Sequence, residues 1–288
     1  MKTIDLEQGS QEWLEFRRMK VGASEAPIVM GVSPWSTPRK LWRQKMELDP
    51  VTFNSYVMRR GTELEPVARA LYESGVGVKC PPAVVQHDDH DFMIASLDGL
   101  SECGEFCVEI KCGGEKLFRD CESGIIPDYY ECQIQHQLAV TGRDSIDYFV
   151  FWNGETSGIT VGRDDKFIEK MIKKEREFMQ SVYEFDCPGL SNGDYEKRDD
   201  SAWLCLAAEL RGIRSQVSDL KAREEVIIQQ LTVESKEKPS EGGGIRFAKR
   251  TRAGTVDYKS IPELKDVDLE PYRKKPSVYY QATVIKDV

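Results

Sequence analysis

The sequence has no Cys-x-x-Cys pair, no apolar run long enough to cross a bilayer and no excess of basic charge. Each absence excludes a class. Structural zinc and iron–sulfur sites draw on closely paired cysteines. Five of the eight cysteines crowd one region (Cys103, Cys107, Cys112, Cys121 and Cys132), but Cys107 and Cys112 flank an expected strand rather than a knuckle. The first ten residues, Met1 to Ser10, are polar and acidic and lack the basic-then-apolar order of a secretory leader. The cysteines therefore read as reduced thiols of a cytoplasmic protein. A membrane helix needs about 20 apolar residues; the longest candidate, Tyr148 to Trp152, is strand-sized, and no membrane is expected as a partner. With 40 Lys+Arg against 49 Asp+Glu, the net charge of -9 excludes a simple basic coat for nucleic acid. There is no repeat of solenoid length.

What is present is a globular composition. The 288 residues are 40% hydrophobic and 9% aromatic, enough for one large domain or a domain with an appendage. The charge is unevenly placed. Residues 1–200 hold 24 Lys+Arg against 36 Asp+Glu, and residues 201–288 hold 16 against 13. Three parts are expected: a domain over 1–190, a long helix over 200–235 and a basic segment over 240–288.

Periodicity and punctuation give the elements. Helices are expected over Gln11 to Met19, Thr37 to Met46 (Pro38 near its first position) and Gly61 to Ser74. Ser24 is a candidate N-cap for a helix between the first two. In the Gly61 helix, Leu64, Val67, Ala68 and Leu71 are expected on one face, with Gly75 as the stop. Short strands rich in Val, Ile and Phe follow at Ala83 to Asp88, Phe92 to Leu97, Phe106 to Lys111, Asp147 to Trp152 and Thr156 to Val161. Asn153-Gly154 is a hairpin turn. Helices are expected at Pro127 to Val140 and Asp164 to Phe185. The fold class is α/β, with a mixed sheet of about five strands flanked by helices. Beyond residue 200, Leu206, Leu210, Ile213, Val217, Leu220, Glu224, Ile227 and Leu231 repeat at alternating steps of four and three. That seam suits a helix docked on its own domain or a coiled-coil arm for assembly. Ser240 to Gly244 reads as a flexible break. Arg246, Lys249, Arg250 and Arg252, and then Arg273-Lys274-Lys275, are basic clusters.

The chemistry concentrates in two places. Asp98 ends an apolar strand in an Asp-Gly turn. In Glu109-Ile110-Lys111 the two charged side chains share one strand face and Ile110 faces the core. Carboxylates at neighbouring strand ends are hard oxygen ligands suited to Mg²⁺ or Mn²⁺. A lysine beside them can hold and deprotonate an attacking water, which is the equipment for phosphodiester hydrolysis. An Asp-Gly turn and a Glu-x-Lys strand are each also common as a solvated face with an ion pair. Glu65, on the helix ahead of the strands, supplies a further carboxylate. Gln133 and Gln135, on the helix after the lysine strand, are candidate substrate contacts or polar caps.

Taken in order, Trp13-x3-Arg17, Gly22-Ala23-Ser24, Gly61-x3-Glu65-Pro66, Ser96-Leu97-Asp98-Gly99-Leu100, Glu109-Ile110-Lys111 and Gln133-x-Gln135 resemble the phage lambda exonuclease family. This is also called the YqaJ-like viral recombinase family, within the PD-(D/E)XK nucleases. The resemblance covers about residues 8–165. It implies a PD-(D/E)XK core with a C-terminal long-helix extension. It also implies a 5′-to-3′ exonuclease that degrades one strand of linear double-stranded DNA during phage-type homologous recombination. By that resemblance Glu65, Asp98 and Glu109, with the Ile110 carbonyl, hold two Mg²⁺ ions (Mn²⁺ being the alternative), and Lys111 orients the water. Arg17 and Ser24 match the 5′-phosphate pocket, and Gln133 the substrate-side glutamine. The motif's proline is replaced by Leu97. The resemblance further implies a trimeric ring on DNA ends, an annealing recombinase as partner, and a phage or prophage gene expressed in the bacterial cytoplasm. The competing readings are another PD-(D/E)XK endonuclease, a Cas4-like nuclease, and a DNA-end binding protein with a vestigial centre. The first cysteine is Cys80 and the later spacings do not fit the Cas4-like cluster. The intact acidic set with Lys111 weighs against the vestigial reading.

Overall fold

A computed structural model describes residues 1–6, 9–49, 56–250, 261 and 267. The chain divides into two compact units, Met1–Glu196 and Lys197–Val288.

The first unit opens with β1 (Lys2–Ile4), α1 (Gln11–Arg18), β2 (Val21–Gly22), α2 (Ala26–Met30) and α3 (Pro38–Lys45). The long helix α4 (Tyr56–Val76) precedes β3 (Ala83–Gln86), β4 (Met93–Leu97), β5 (Gly99–Leu100) and β6 (Cys107–Cys112). Two helices, α5 (Glu115–Glu122) and α6 (Asp128–Thr141), cross to β7 (Ser145–Trp152), which turns into β8 (Glu155–Gly162) and then α7 (Asp165–Tyr183).

Instead of one sheet of about five strands there are two four-stranded sheets, ordered β1-β3-β4-β2 and β5-β6-β7-β8. The difference comes from β1, β2 and β5. At two or three residues each they carry no readable periodicity, yet they complete the edges. Asp98 is the single residue between β4 and β5, so it sits where the chain leaves one sheet for the other. Gly99 makes that crossing feasible. A Cβ there would lie 2.7 Å from Val108 Cγ1 and 3.0 Å from the Cys80 carbonyl oxygen. The pair β6–β7 is parallel, joined through α5 and α6, and β7–β8 is an antiparallel hairpin. Its turn uses Asn153 and Gly154 at φ of 51° and 89°, the left-handed pair that matches strand twist.

The core lies between β4, β7 and the helices α6 and α7, with Met93, Leu97, Ile134, Leu138, Tyr148 and Met171 fully enclosed. A second cluster joins α4 to β6 through Ala68, Tyr72, Val108 and Ile110. Here two expectations change. Ala68 and Tyr72, four residues apart, face the sheet, whereas Val67 and Leu71 are exposed at 51% and 43%. The helix also runs past Gly75 and ends at Gly77, whose φ of 75° and bond to the Glu73 carbonyl form the stop. Ile110 is buried, as the strand alternation requires. Ser24 is not a cap: Glu25 occupies that position before α2, with no side-chain bond to the helix. The carboxylate of Glu25 is engaged elsewhere.

The second unit, by itself, holds the 34-residue helix α8 (Ser201–Glu234), capped by Asp200, and a small hairpin of β9 (Ser240–Gly242) and β10 (Ile245–Phe247). Leu206, Leu210, Ile213, Val217, Leu220 and Ile227 are all exposed. Ser240 to Gly244 is ordered into that hairpin and is no flexible break. Gly243 and Gly244, at φ of 55° and 81°, form its turn. Arg246 pairs with Glu241 at 2.8 Å. Arg252 and Arg273-Lys274-Lys275 lie outside the described residues.

Candidate active site

One cavity of about 410 Å³ gathers Arg17, Ser24, Glu65, Asp98, Glu109, Ile110, Lys111 and Gln133. Residues spread over more than a hundred positions of sequence thus share one wall. The topology explains how. Both Asp98, at the sheet crossing, and β6 face the cavity floor, while α1, α4 and α6 each present one face to it.

Glu109 is the most tightly held group. It is 1% exposed. Gln133 Nε2 donates to its Oε1 at 2.7 Å, Gln137 Nε2 donates to its Oε2, and Lys111 pairs with Oε1. Gln133 also accepts from Lys111 Nζ at 3.3 Å. The ammonium lies 4.7 Å from the Tyr130 ring centroid. Burial works against the charged form of Lys111, but the charges of Glu109 and Asp98 outweigh it and hold the lysine above its usual range. Lys111 is therefore held as an ammonium in this arrangement.

Asp98 accepts the Ile110 backbone N–H at Oδ2, 2.8 Å away, and its carbonyl accepts from Arg69 Nε at 2.5 Å. Burial and the neighbouring Glu109 charge push its carboxyl well above the carboxylate range. Glu65 pairs with Arg69 on the next turn of α4. Oxygen donors carrying mutually repelling charge, one of them buried, are chemically suited to a hard divalent cation. Among the described residues, no group of three or more His, Cys, Asp or Glu side chains converges as a cage.

The other end of the cavity is built on α1. Ser10 caps that helix by accepting from Trp13 N at 3.2 Å. Trp13 and Arg17 then share a face, with the guanidinium 4.5 Å over the indole centroid. Trp13 Nε1 donates to Ser96 Oγ at 3.3 Å, which ties the helix to β4. Arg17 donates to Glu25 Oε1 at 3.0 Å. Glu25 also accepts the Gly22 N–H at 3.0 Å and buried Lys45 at 2.9 Å. Burial acts to raise its carboxyl, but Lys45 and Arg17 together hold it below the usual range.

Several residues of this site were not expected from sequence. Gln137 is one turn beyond Gln133, so the i,i+4 rule would have found it. Gln135 lies on the opposite face, bonded to the Gly162 carbonyl and the Asp164 N–H, and does not reach the cavity. Arg69, four residues after Glu65 on α4, would be found by the same rule, whereas Glu25 and Lys45 carry no sequence signal, because their partnership is made by loop and helix packing.

Residues 12–144, within the first unit, match the model of the YqaJ-like viral recombinase domain. Along 98% of its length the chain is 27% identical to the uncharacterised protein YqaJ of Bacillus subtilis (strain 168), covering 96% of that protein. The structure is similar to an alkaline exonuclease, LHK-Exo of Laribacter hongkongensis, with a TM-score of 0.53 and 26% identity. That match covers 62% of this chain and 94% of the other. The same enzyme in complex with dAMP matches equally, at a TM-score of 0.53 and 27% identity. The fold is thus that of the PD-(D/E)XK alkaline exonucleases, in two mixed sheets. Among the described residues no helix is long and apolar enough to cross a membrane.

Proposed function

We propose that this chain is a metal-dependent exonuclease that degrades one strand of linear double-stranded DNA from a 5′ end. The observation that carries the reading is the joint presence, in one cavity, of a cationic hydrogen-bonding edge at Arg17 and Ser24 and of buried Glu109 with half-buried Asp98 and Lys111. A site for a terminal 5′ phosphate beside the hydrolytic centre suits an enzyme that starts at a 5′ end, and an enzyme cutting within a strand has no use for one. The relative solved with a deoxynucleoside monophosphate supports a site sized for a released mononucleotide.

In this reading Arg17 and Ser24 seat the terminal phosphate through charge-assisted bonds. Asp98 and Glu109, with Glu65 at the cavity wall and the Ile110 carbonyl, would hold Mg²⁺. When bound, the metal lowers the pKa of a coordinated water and neutralises charge developing on the phosphate. Lys111 orients the attacking water from its place between Glu109 and Gln133. Gln133 and Gln137 fix the Glu109 carboxylate, so that its direction is set before substrate arrives.

The test is a time course on end-labelled linear duplex bearing a 5′ phosphate or a 5′ hydroxyl, and on a closed circle. Each is run with Mg²⁺, with Mn²⁺ and with a chelator. Mononucleotides released from phosphorylated ends only in the presence of metal, with the circle intact, are expected. Cutting of the circle would replace this reading with that of an endonuclease.

A further inference from the structure

Three aromatic rings lead outward from the cavity. Tyr130 lines it beside Lys111. Tyr129 packs edge-on against Tyr130, with ring centroids 4.5 Å apart at 64°. Trp35, on the loop between α2 and α3, packs edge-on against Tyr129 at 4.7 Å and 72°. Trp35 is 68% exposed although it is the largest apolar side chain available. A lone exposed aromatic is ordinary. This one is the outer end of a row whose inner end touches the lysine of the candidate site. Its orientation is fixed by Tyr129 while most of its surface stays in water.

An edge-on contact holds an aromatic ring in place and leaves π-surface open. On the nuclease reading, such a surface, two ring contacts out from cavity-lining Tyr130, suits a nucleobase. Stacking is indifferent to base identity, because every base has a π-face. That tolerance is what an enzyme consuming a strand of any sequence requires. We propose that Trp35 and Tyr129 form a stacking site for the nucleobase next to the phosphate seated in the cavity. The inference rests on the nuclease reading for the choice of ligand. It adds a specificity-neutral grip on the bases to the phosphate and metal contacts.

Binding to short duplex ends is measured by fluorescence anisotropy with the full chain in chelator, so that the DNA stays intact. The oligonucleotides carry either normal terminal nucleotides or abasic ones, in each strand in turn. The wild-type protein is compared with Trp35→Ala, Trp35→Phe and Tyr129→Leu. Stacking worth about 1–3 kcal/mol per base corresponds to roughly a 5- to 150-fold loss of affinity. Trp35→Ala should therefore weaken binding about tenfold, and so should removal of the bases at the engaged end. The two together should weaken it no further than either alone. Trp35→Phe should keep part of the affinity, and Tyr129→Leu should show the same dependence on the base. Losses that multiply, or an affinity unmoved by Trp35→Ala, would overturn the proposal. So would a Trp35→Ala protein of smaller mass by light scattering with unchanged affinity, since Trp35 would then be covering a second copy. Wild-type protein that shows the base-dependent cycle yet cuts no DNA with any metal would remove the nuclease reading and leave the stacking site standing.

Discussion

Gln133 donates its side-chain amide to Glu109 Oε1 at 2.7 Å, while its own carbonyl oxygen accepts from Lys111 Nζ at 3.3 Å. One side chain thus aligns both the carboxylate and the ammonium. Gln137, one turn further along α6, takes the remaining Glu109 oxygen. A buried carboxylate with both oxygens bonded is fixed in direction, and the groups that fix it matter nearly as much as the carboxylate.

Gln137→Leu removes one of those bonds without touching the cavity wall. It is expected to lower metal-dependent cleavage by roughly 10- to 100-fold. The metal concentration needed for half-maximal rate should rise, and DNA affinity in chelator should not change. An unchanged metal dependence would assign Gln137 to packing alone.

Lys111→Ala takes the charge from between Glu109 and Gln133. Because the lysine is held charged by its two carboxylate neighbours, its loss removes the group placed to orient water. Cleavage should fall by roughly 10²–10³-fold. Binding of a 5′-phosphorylated duplex should persist. Near-wild-type turnover would take Lys111 out of the chemistry.

Much of this was legible in sequence, for identifiable reasons. Asp98 before a glycine at a strand end, and Glu109 and Lys111 two apart on one strand, are fixed by local geometry alone. The helices α1, α3, α6 and α7 follow from apolar spacing and caps. What escaped was set by distant partners or by elements too short to show a period. Glu25 binds Lys45 twenty residues away. The edge strands β1, β2 and β5 exist only through pairing. Gly75 looked like a helix stop because it precedes the true stop, Gly77, by two positions. Ser24 has the right chemistry for a cap, but Glu25 takes that place and turns its carboxylate toward Arg17.

Arg17→Ala tests the terminal-phosphate site. The guanidinium is anchored by Glu25 and by the face of Trp13. Loss of a charge-assisted bond of about 1.5–3 kcal/mol should shrink the preference for 5′-phosphate over 5′-hydroxyl ends by roughly 10- to 100-fold. Glu25 keeps Lys45 as a partner, so the fold should survive, checked by circular dichroism. An unchanged preference would place the phosphate elsewhere in the cavity.

Gly99→Ala probes the sheet crossing. The added methyl meets Val108 Cγ1 at 2.7 Å and a backbone oxygen that cannot easily yield. Overpacking of this kind costs about 1–3 kcal/mol. A lower midpoint in urea is expected. Because Asp98 is the adjacent residue, cleavage should fall more than stability alone predicts, measured well below the unfolding midpoint.

The last prediction concerns pH and a buried pair away from the cavity. His136 on α6 is 0% exposed; its Nδ1 lies 2.8 Å from Glu175 Oε1 on α7, and its Nε2 lies 3.0 Å from the Ile94 carbonyl oxygen on β4. Both ring nitrogens face acceptors, which calls for a proton on each. Burial disfavours the imidazolium, but the charge and bond of Glu175, the Ile94 carbonyl and the more distant Glu25 outweigh it and raise the His136 pKa. A group that binds its proton more tightly when folded stabilises the fold at low pH. That contribution is full below the ordinary histidine range, about 6.5, and is lost as pH rises through the higher folded value. The unfolding midpoint should therefore decline on the alkaline side of neutrality. His136→Leu should lower stability by about 3–5 kcal/mol near neutral pH, because Glu175 is left buried without its partner. It should also flatten this alkaline decline. A decline of the same slope in the variant would show that another group is responsible.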